Sequence, residues 1–204
     1  ASSQGGPPPP PTMRYRTLGR TGLKVSEIGF GGYPVDDPEV LVYALEHGIN
    51  LVDTANMYGG TAGPGITEEI IGRWYAKGGD RRQRTVLATK LYNSMKGFGR
   101  TDNWPNTTHL SALNIRESCD ASLRRLQTGH IDIYQMHHID RGTPFDEIWE
   151  AFSVLRQQGK VTYFGSSNFA GWHLAQAQES ARSRGMLGHV SEQSPYNLRR
   201  PTVE

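Results

Sequence analysis

The sequence predicts a parallel α/β fold, closed as a (β/α)8 barrel rather than opened as a doubly wound sheet. Three observations lead there. Short apolar segments alternate with longer amphipathic ones, the rhythm of βαβ units. Glycines follow the helical segments at Gly129, Gly159 and Gly185, where helix ends favour them. Polar residues close five successive strand candidates: Asp53, Lys90, His137, Ser166-Ser167-Asn168 and Glu192-Gln193. In a barrel those ends converge on one mouth, whereas in an open sheet they spread along an edge.

Residues 1–12 are low in complexity, with five consecutive prolines, and read as a disordered or extended tail. They contain no apolar stretch of the kind a signal peptide needs. The domain begins at Met13. Met13–Leu18 and Leu23–Val25 flank Gly19-Arg20-Thr21-Gly22 as a small hairpin. Strands are expected at Glu27–Phe30, Ile49–Asp53, Thr85–Lys90, Ile131–His137, Val161–Ser166 and His189–Gln193. Helices are expected at Asp37–His47, Thr67–Lys77, Leu110–Gln127, Pro144–Gln158 and Gly171–Arg184. Thr67 reads as a cap ahead of Glu68 and Glu69, and Pro144 suits a first helical position.

Composition narrows the function. Of 204 residues, 36% are hydrophobic, enough for a sizeable core. The net charge is +2 with both signs scattered, so no basic stripe argues for nucleic acid. No apolar run approaches the ~20 residues of a membrane helix. The single Cys119 excludes an internal disulfide framework and a cysteine-based zinc site, and fits a reducing, cytoplasmic setting. Two glycine motifs fail. Gly29-Phe30-Gly31-Gly32-Tyr33-Pro34 has proline where a dinucleotide fingerprint needs its third glycine, and Gly60–Thr67 has Ile66 where a phosphate loop needs lysine. His137-His138 is not a metal spacing, since neighbours on a strand face opposite sides, with His137 expected at the mouth.

The residues at the strand ends suggest chemistry. A lysine closing an apolar strand points into a crowded mouth and needs a counter-ion, for which Asp53 is the candidate. A lysine beside a tyrosine hydroxyl lowers its pKa, which would make Tyr58 a usable acid. His137 would polarise a carbonyl oxygen beside it. Asp53 read alone is equally a turn residue, and Tyr58 a packing residue. Together the four describe carbonyl reduction with an external hydride donor.

Several ordered segments resemble the aldo-keto reductase family: Tyr15–Ser26, Asp53-x4-Tyr58, Lys90, Tyr134-Gln135-Met136-His137, Gly165–Phe169 and Glu192–Asn197. The style is closest to the bacterial branch that includes potassium-channel β-subunits. The resemblance implies a (β/α)8 barrel that uses NADPH, with NADH as an alternative, and no metal. It implies a catalytic tetrad of Asp53, Tyr58, Lys90 and His137. It assigns Ser167, Asn168 and Gln193 to the nicotinamide carboxamide, with Gly32, Tyr33 and Asp53 beside the cofactor. Trp104 is a candidate either for lining the pocket or for anchoring its loop. The implied partner is a small carbonyl substrate, with oligomerisation open. The alternatives are a regulatory subunit working through protein partners, or an inactive fragment. The family continues for two more βα units, carrying an aromatic that stacks on the nicotinamide and basic residues for the adenosine phosphate. The working protein is therefore expected to be longer than these 204 residues.

Overall fold

The computed structural model describes residues 12–33, 37–96 and 104–200. Nearly all of the expected proline-rich tail lies outside them. A two-stranded antiparallel hairpin, β1 (Tyr15–Thr17) and β2 (Lys24–Ser26), opens the fold. Six parallel strands follow: β3 (Phe30–Gly31), β4 (Leu51–Asp53), β5 (Val86–Leu91), β6 (Ile131–Met136), β7 (Val161–Ser167) and β8 (His189–Gln193). Their order in the sheet is their order in the chain, β3-β4-β5-β6-β7-β8. A doubly wound sheet reverses its order once, and this sheet never does. With right-handed crossovers throughout, unreversed order puts every helix on one face and leaves the other as a barrel interior. The sheet is a curled half-barrel.

Five helices form the outer layer: α1 (Pro38–Glu46), α2 (Ile66–Ala76), α3 (Ala112–Leu126), α4 (Phe145–Gln157) and α5 (Gly171–Ser183). Asp37 caps α1 by accepting from the Glu39 amide at 2.9 Å, and Ser111 caps α3 by accepting from Asn114. Three terminus expectations are corrected. Pro144 is the N-cap of α4, with extended ψ 141, not its first helical residue. Gly65, left-handed at φ 92, caps α2, so Thr67 lies inside the helix. Gln127 (φ 49), not Gly129, takes the left-handed position ending α3.

Side chains alternate across the sheet. Leu87, Leu91, Tyr134, Met136 and Phe164 point outward and join Ile115, Trp149, Phe152 and Leu155 of the helices in the main core. The inward face carries a second, smaller cluster of Val86, Ala88 and Ile133, with Val25 and partly buried Leu18 and Leu23 of the hairpin packed on it. The hairpin thus covers the end of the interior where the strands begin. The interior is apolar there and turns polar at the strands' C-terminal ends.

Two helices meet at a glycine. A Cβ on Gly72 of α2 would collide with the Arg125 carbonyl oxygen of α3. Glu68 of α2, its side chain fully buried, accepts from Arg125 Nε at 2.7 Å and from Thr89 Oγ1 of β5 at 2.6 Å. The glycine lets the helices approach closely enough for this ion pair. On an open helix Gly→Ala stabilises by ~1 kcal/mol. Gly72→Ala is expected to reverse that sign and cost roughly 1–3 kcal/mol by overpacking, read from urea unfolding.

His189 sits among Trp149 and Phe169, with its Nε2 buried and unpartnered. Burial lowers its pKa from 6.5 to about 4. Between those values the unfolded chain binds a proton that the folded chain refuses. Stability is therefore held above pH 6.5 and lost as the pH falls toward 4. The loss from this residue is expected to reach roughly 3 kcal/mol. Unfolding of His189→Gln across that range is expected to show a shallower acid limb.

Candidate active site

The polar residues closing β4 to β8 meet at one end of the sheet. Lys90, penultimate in β5, is 1% exposed, too deep for a charge without partners. Its Nζ donates to both carboxylate oxygens of Asp53 at 2.7 Å, to the Thr54 carbonyl at 2.9 Å and to the Tyr58 hydroxyl at 3.5 Å. Asp53 closes β4 and also accepts from Gln135 Nε2 of β6 at 3.3 Å and from Gln193 Nε2 of β8 at 3.2 Å. Tyr58 lies in the turn after β4, where its backbone amide donates to Ala55 and its carbonyl accepts from Gly65 and Thr67.

His137 follows β6. Its ring meets the Tyr58 ring edge-on at a centroid distance of 5.7 Å. The strand ends at Met136, so the expectation that His137 and His138 face opposite ways is corrected. Past the pleat, the two imidazoles stack in parallel at 4.8 Å, and His138 packs on Tyr92. Burial first, then the charge of Lys90, then His138 lower the His137 pKa to about 3. His137 is neutral at physiological pH. Asn93 Nδ2 lies 3.3 Å from its Nδ1.

The Tyr58 pKa is another correction. Lys90 was expected to pull it down, yet it is raised to about 12, by burial first, then by Asp53 and Tyr33. Burial, with the Asp53 carboxylate adding to it, outweighs the nearby ammonium. Burial lowers the Lys90 pKa, with Asp53 opposing.

The other expected residues divide. Ser167 Oγ donates to the Gln193 carbonyl at 2.8 Å, and Asn168 Nδ2 donates to Ser167 Oγ and to the His137 carbonyl, both at 3.0 Å. Asn168 takes a left-handed φ of 60, which turns the chain sharply at the end of β7. Gly32 is buried, its amide donating to the Asp53 carbonyl at 2.7 Å; a Cβ there would crowd that carbonyl and Thr67. Tyr33 is exposed, with its ring 5.3 Å from that of Tyr58. Trp104 stands 77% exposed and lines an outer groove with Leu113 and Arg124 of α3.

Sequence reasoning gave Asn93 and Gln135 no role in the site, and marked Glu192 only as a polar strand end. Gln135 is readable in retrospect, two residues from His137 on an inward-facing register. Glu192 accepts from Ser166 Oγ at 2.5 Å and from the Phe169 amide at 3.0 Å, pinning the turn that carries Ser167 and Asn168. Nothing local marks Asn93. Among the described residues no cluster of metal-ligating side chains occurs, and no helix is long and apolar enough to cross a membrane.

The sequence profile of the aldo/keto reductase family matches residues 28–204. The chain belongs to that family. It is 50% identical over 200 residues to an uncharacterized oxidoreductase of Bacillus subtilis, YrpG, covering 94% of this chain and 60% of that protein. It is 34% identical over 192 residues to a putative voltage-gated potassium channel subunit beta of Schizosaccharomyces pombe, covering 90% of this chain and 53% of that one. It is 33% identical over 210 residues to versiconal hemiacetal acetate reductase of Aspergillus parasiticus, covering 91% and 60%. The chain thus spans between 53% and 60% of the length of these relatives.

The family's oxidoreductase chemistry generally runs on NAD(P)H, and the acceptors free at this end of the sheet are of the kind a carboxamide would use. Among the described residues, Asn168 Oδ1 and Gln193 Oε1 have no hydrogen-bond partner, and both side chains are open to solvent. One sits on the side chain that donates to Asp53 and the other on the side chain that donates to the His137 carbonyl, and such acceptors would suit the NH2 of a carboxamide.

Asp53→Asn removes the counter-ion while keeping the shape. It is expected to destabilise the fold by roughly 3 kcal/mol, because Lys90 is left buried and uncompensated. Denaturant unfolding measures this, and restoration by the double variant Asp53→Asn with Lys90→Met would attribute the loss to the stranded charge.

Proposed function

We propose that the protein reduces an aldehyde or ketone to an alcohol with NADPH, Tyr58 acting as the general acid. The observation that carries this reading is the Lys90 ammonium, held by Asp53 within 3.5 Å of the Tyr58 hydroxyl, with neutral His137 against the same ring. The bound nicotinamide would supply a hydride to the carbonyl carbon. His137 would orient the carbonyl oxygen toward Tyr58. Tyr58 would pass its proton to that oxygen as negative charge develops there. With its pKa at about 12, the phenol holds this proton throughout the physiological range. Lys90 would stabilise the phenolate left behind, and Asp53 keeps Lys90 in place. Ser167, Asn168 and Gln193 would orient the carboxamide, with Gly32, Tyr33 and Asp53 beside the ring. NADPH rather than NADH rests on the family resemblance, and a cytoplasmic setting on the lone buried Cys119.

The similarity to a putative potassium channel subunit beta favours a second reading, a cofactor-binding subunit working through a protein partner. NADPH consumption with a panel of aldehydes and ketones separates the two. Tyr58→Phe is expected to lower kcat by ~10²–10⁴-fold, the contribution of a positioned proton donor, while the Kd for NADPH changes little. Full activity in that variant would remove Tyr58 from the mechanism.

A further inference from the structure

We infer that Asn93 is a positioning residue that sets the tautomer of His137: its amide N–H donates to Nδ1, leaving the proton on Nε2, where it is available to a carbonyl oxygen. The inference deepens the reductase reading and rests on it for its functional consequence.

A neutral imidazole carries one N–H and one lone pair, and the partner of one nitrogen decides which is which. His137 is neutral because it is buried beside Lys90. Among the described residues, its ring nitrogens make one hydrogen bond, Nδ1 to Asn93 Nδ2 at 3.3 Å. Nε2 has no partner and is not among the enclosed, unpartnered polar atoms, so it is open to solvent. His137 is held by its backbone and by its ring. Its backbone amide donates to the Leu91 carbonyl at 2.9 Å, its carbonyl accepts from Asn168, and its ring stacks on His138. With the ring held, the tautomer is what remains to be chosen. An amide side chain is suited to choose it. It offers an N–H without adding charge, so it neither competes with Asp53 for Lys90 nor favours an imidazolium. Asn93 lies three residues beyond Lys90, so the segment carrying the ammonium also carries the group that orients the histidine.

The choice has consequences for reduction. With Nε2–H, the ring can hydrogen-bond a carbonyl oxygen beside the Tyr58 hydroxyl. With the proton on Nδ1, Nε2 presents a lone pair to that oxygen and repels it.

The test is imidazole nitrogen NMR of the protein labelled at histidine, with His137 assigned by the signals missing from His137→Gln. The native protein is expected to show Nε2 protonated and Nδ1 bare. Asn93→Leu, which keeps the volume and removes the donor, is expected to give a mixture of tautomers. Asn93→Asp, observed at alkaline pH where the imidazole is neutral, is expected to move the proton to Nδ1, because a carboxylate only accepts. Under those conditions its kcat is expected to fall by ~10²-fold or more, as when a catalytic histidine is held in the wrong tautomer. A purely structural Asn93 would leave the tautomer unchanged in both folded variants. Protonation at Nδ1 in the native protein, or an unaltered tautomer in both variants, overturns the inference while leaving carbonyl reduction standing. The expected tautomers in a protein that reduces no carbonyl would retain Asn93 in its role and overturn the reductase reading instead.

Discussion

A lysine ammonium buried at the end of β5 is the constraint on which the site depends. Removing such a charge from water costs several kcal/mol, and only close, well-directed partners offset it. Lys90 finds them on elements brought together by the sheet: the Asp53 carboxylate from β4, the Thr54 carbonyl after it, and the Tyr58 hydroxyl from the following turn. Asp53 in turn receives Gln135 from β6 and Gln193 from β8. One cation therefore ties four strands and a turn at a single end of the sheet. Loss of strand register would place hydrophobic neighbours such as Ala88 or Leu91 where the charge must be met. The sheet's geometry and the site's electrostatics are specified together.

The pair also changes what the lysine does to its neighbours. A free ammonium beside a phenol would pull its pKa down. With both Asp53 oxygens on Nζ, burial prevails and Tyr58 keeps its proton. For a reductase this is a serviceable state, because a proton donor must be loaded before the carbonyl arrives. The ammonium's contribution comes as charge moves onto the phenol oxygen. His137 feels the same cation differently. Having no carboxylate of its own, it is held neutral by burial and by Lys90. Burial leaves the two groups beside this cation, a phenol and an imidazole, uncharged and able to hydrogen-bond.

Around this centre the structure divides labour along the strands. Where the strands begin, the interior is filled by Val86, Ala88 and Ile133 under the hairpin. Where they end, it is lined by hydrogen-bonding groups. The outer face is mainly apolar, with polar contacts such as Thr89 to Glu68, and is covered by helices whose spacing depends on close contacts such as Gly72 against Arg125. Packing stabilises the scaffold on one face and leaves the other face free for polar chemistry.

Periodicity and turn chemistry are local, so the βαβ rhythm, the hairpin and the polar strand ends are legible in the amino-acid order. Lys90 and Asp53 were legible as partners for the same reason: an unpaired charge closing an apolar strand demands a counter-ion. Features settled by folding lie where distant segments compete for one space. Unbroken strand order distinguishes the half-barrel from a doubly wound sheet, and that order is a property of pairing. The stacked histidines depend on the pleat ending at Met136. The raised Tyr58 pKa depends on how deeply the fold buries the phenol and how near it brings Asp53. Asn93 carries no local signal, and Glu192 is marked only as a polar strand end, since their partners are 44 and 23–26 residues away and are met only when the strands are in register.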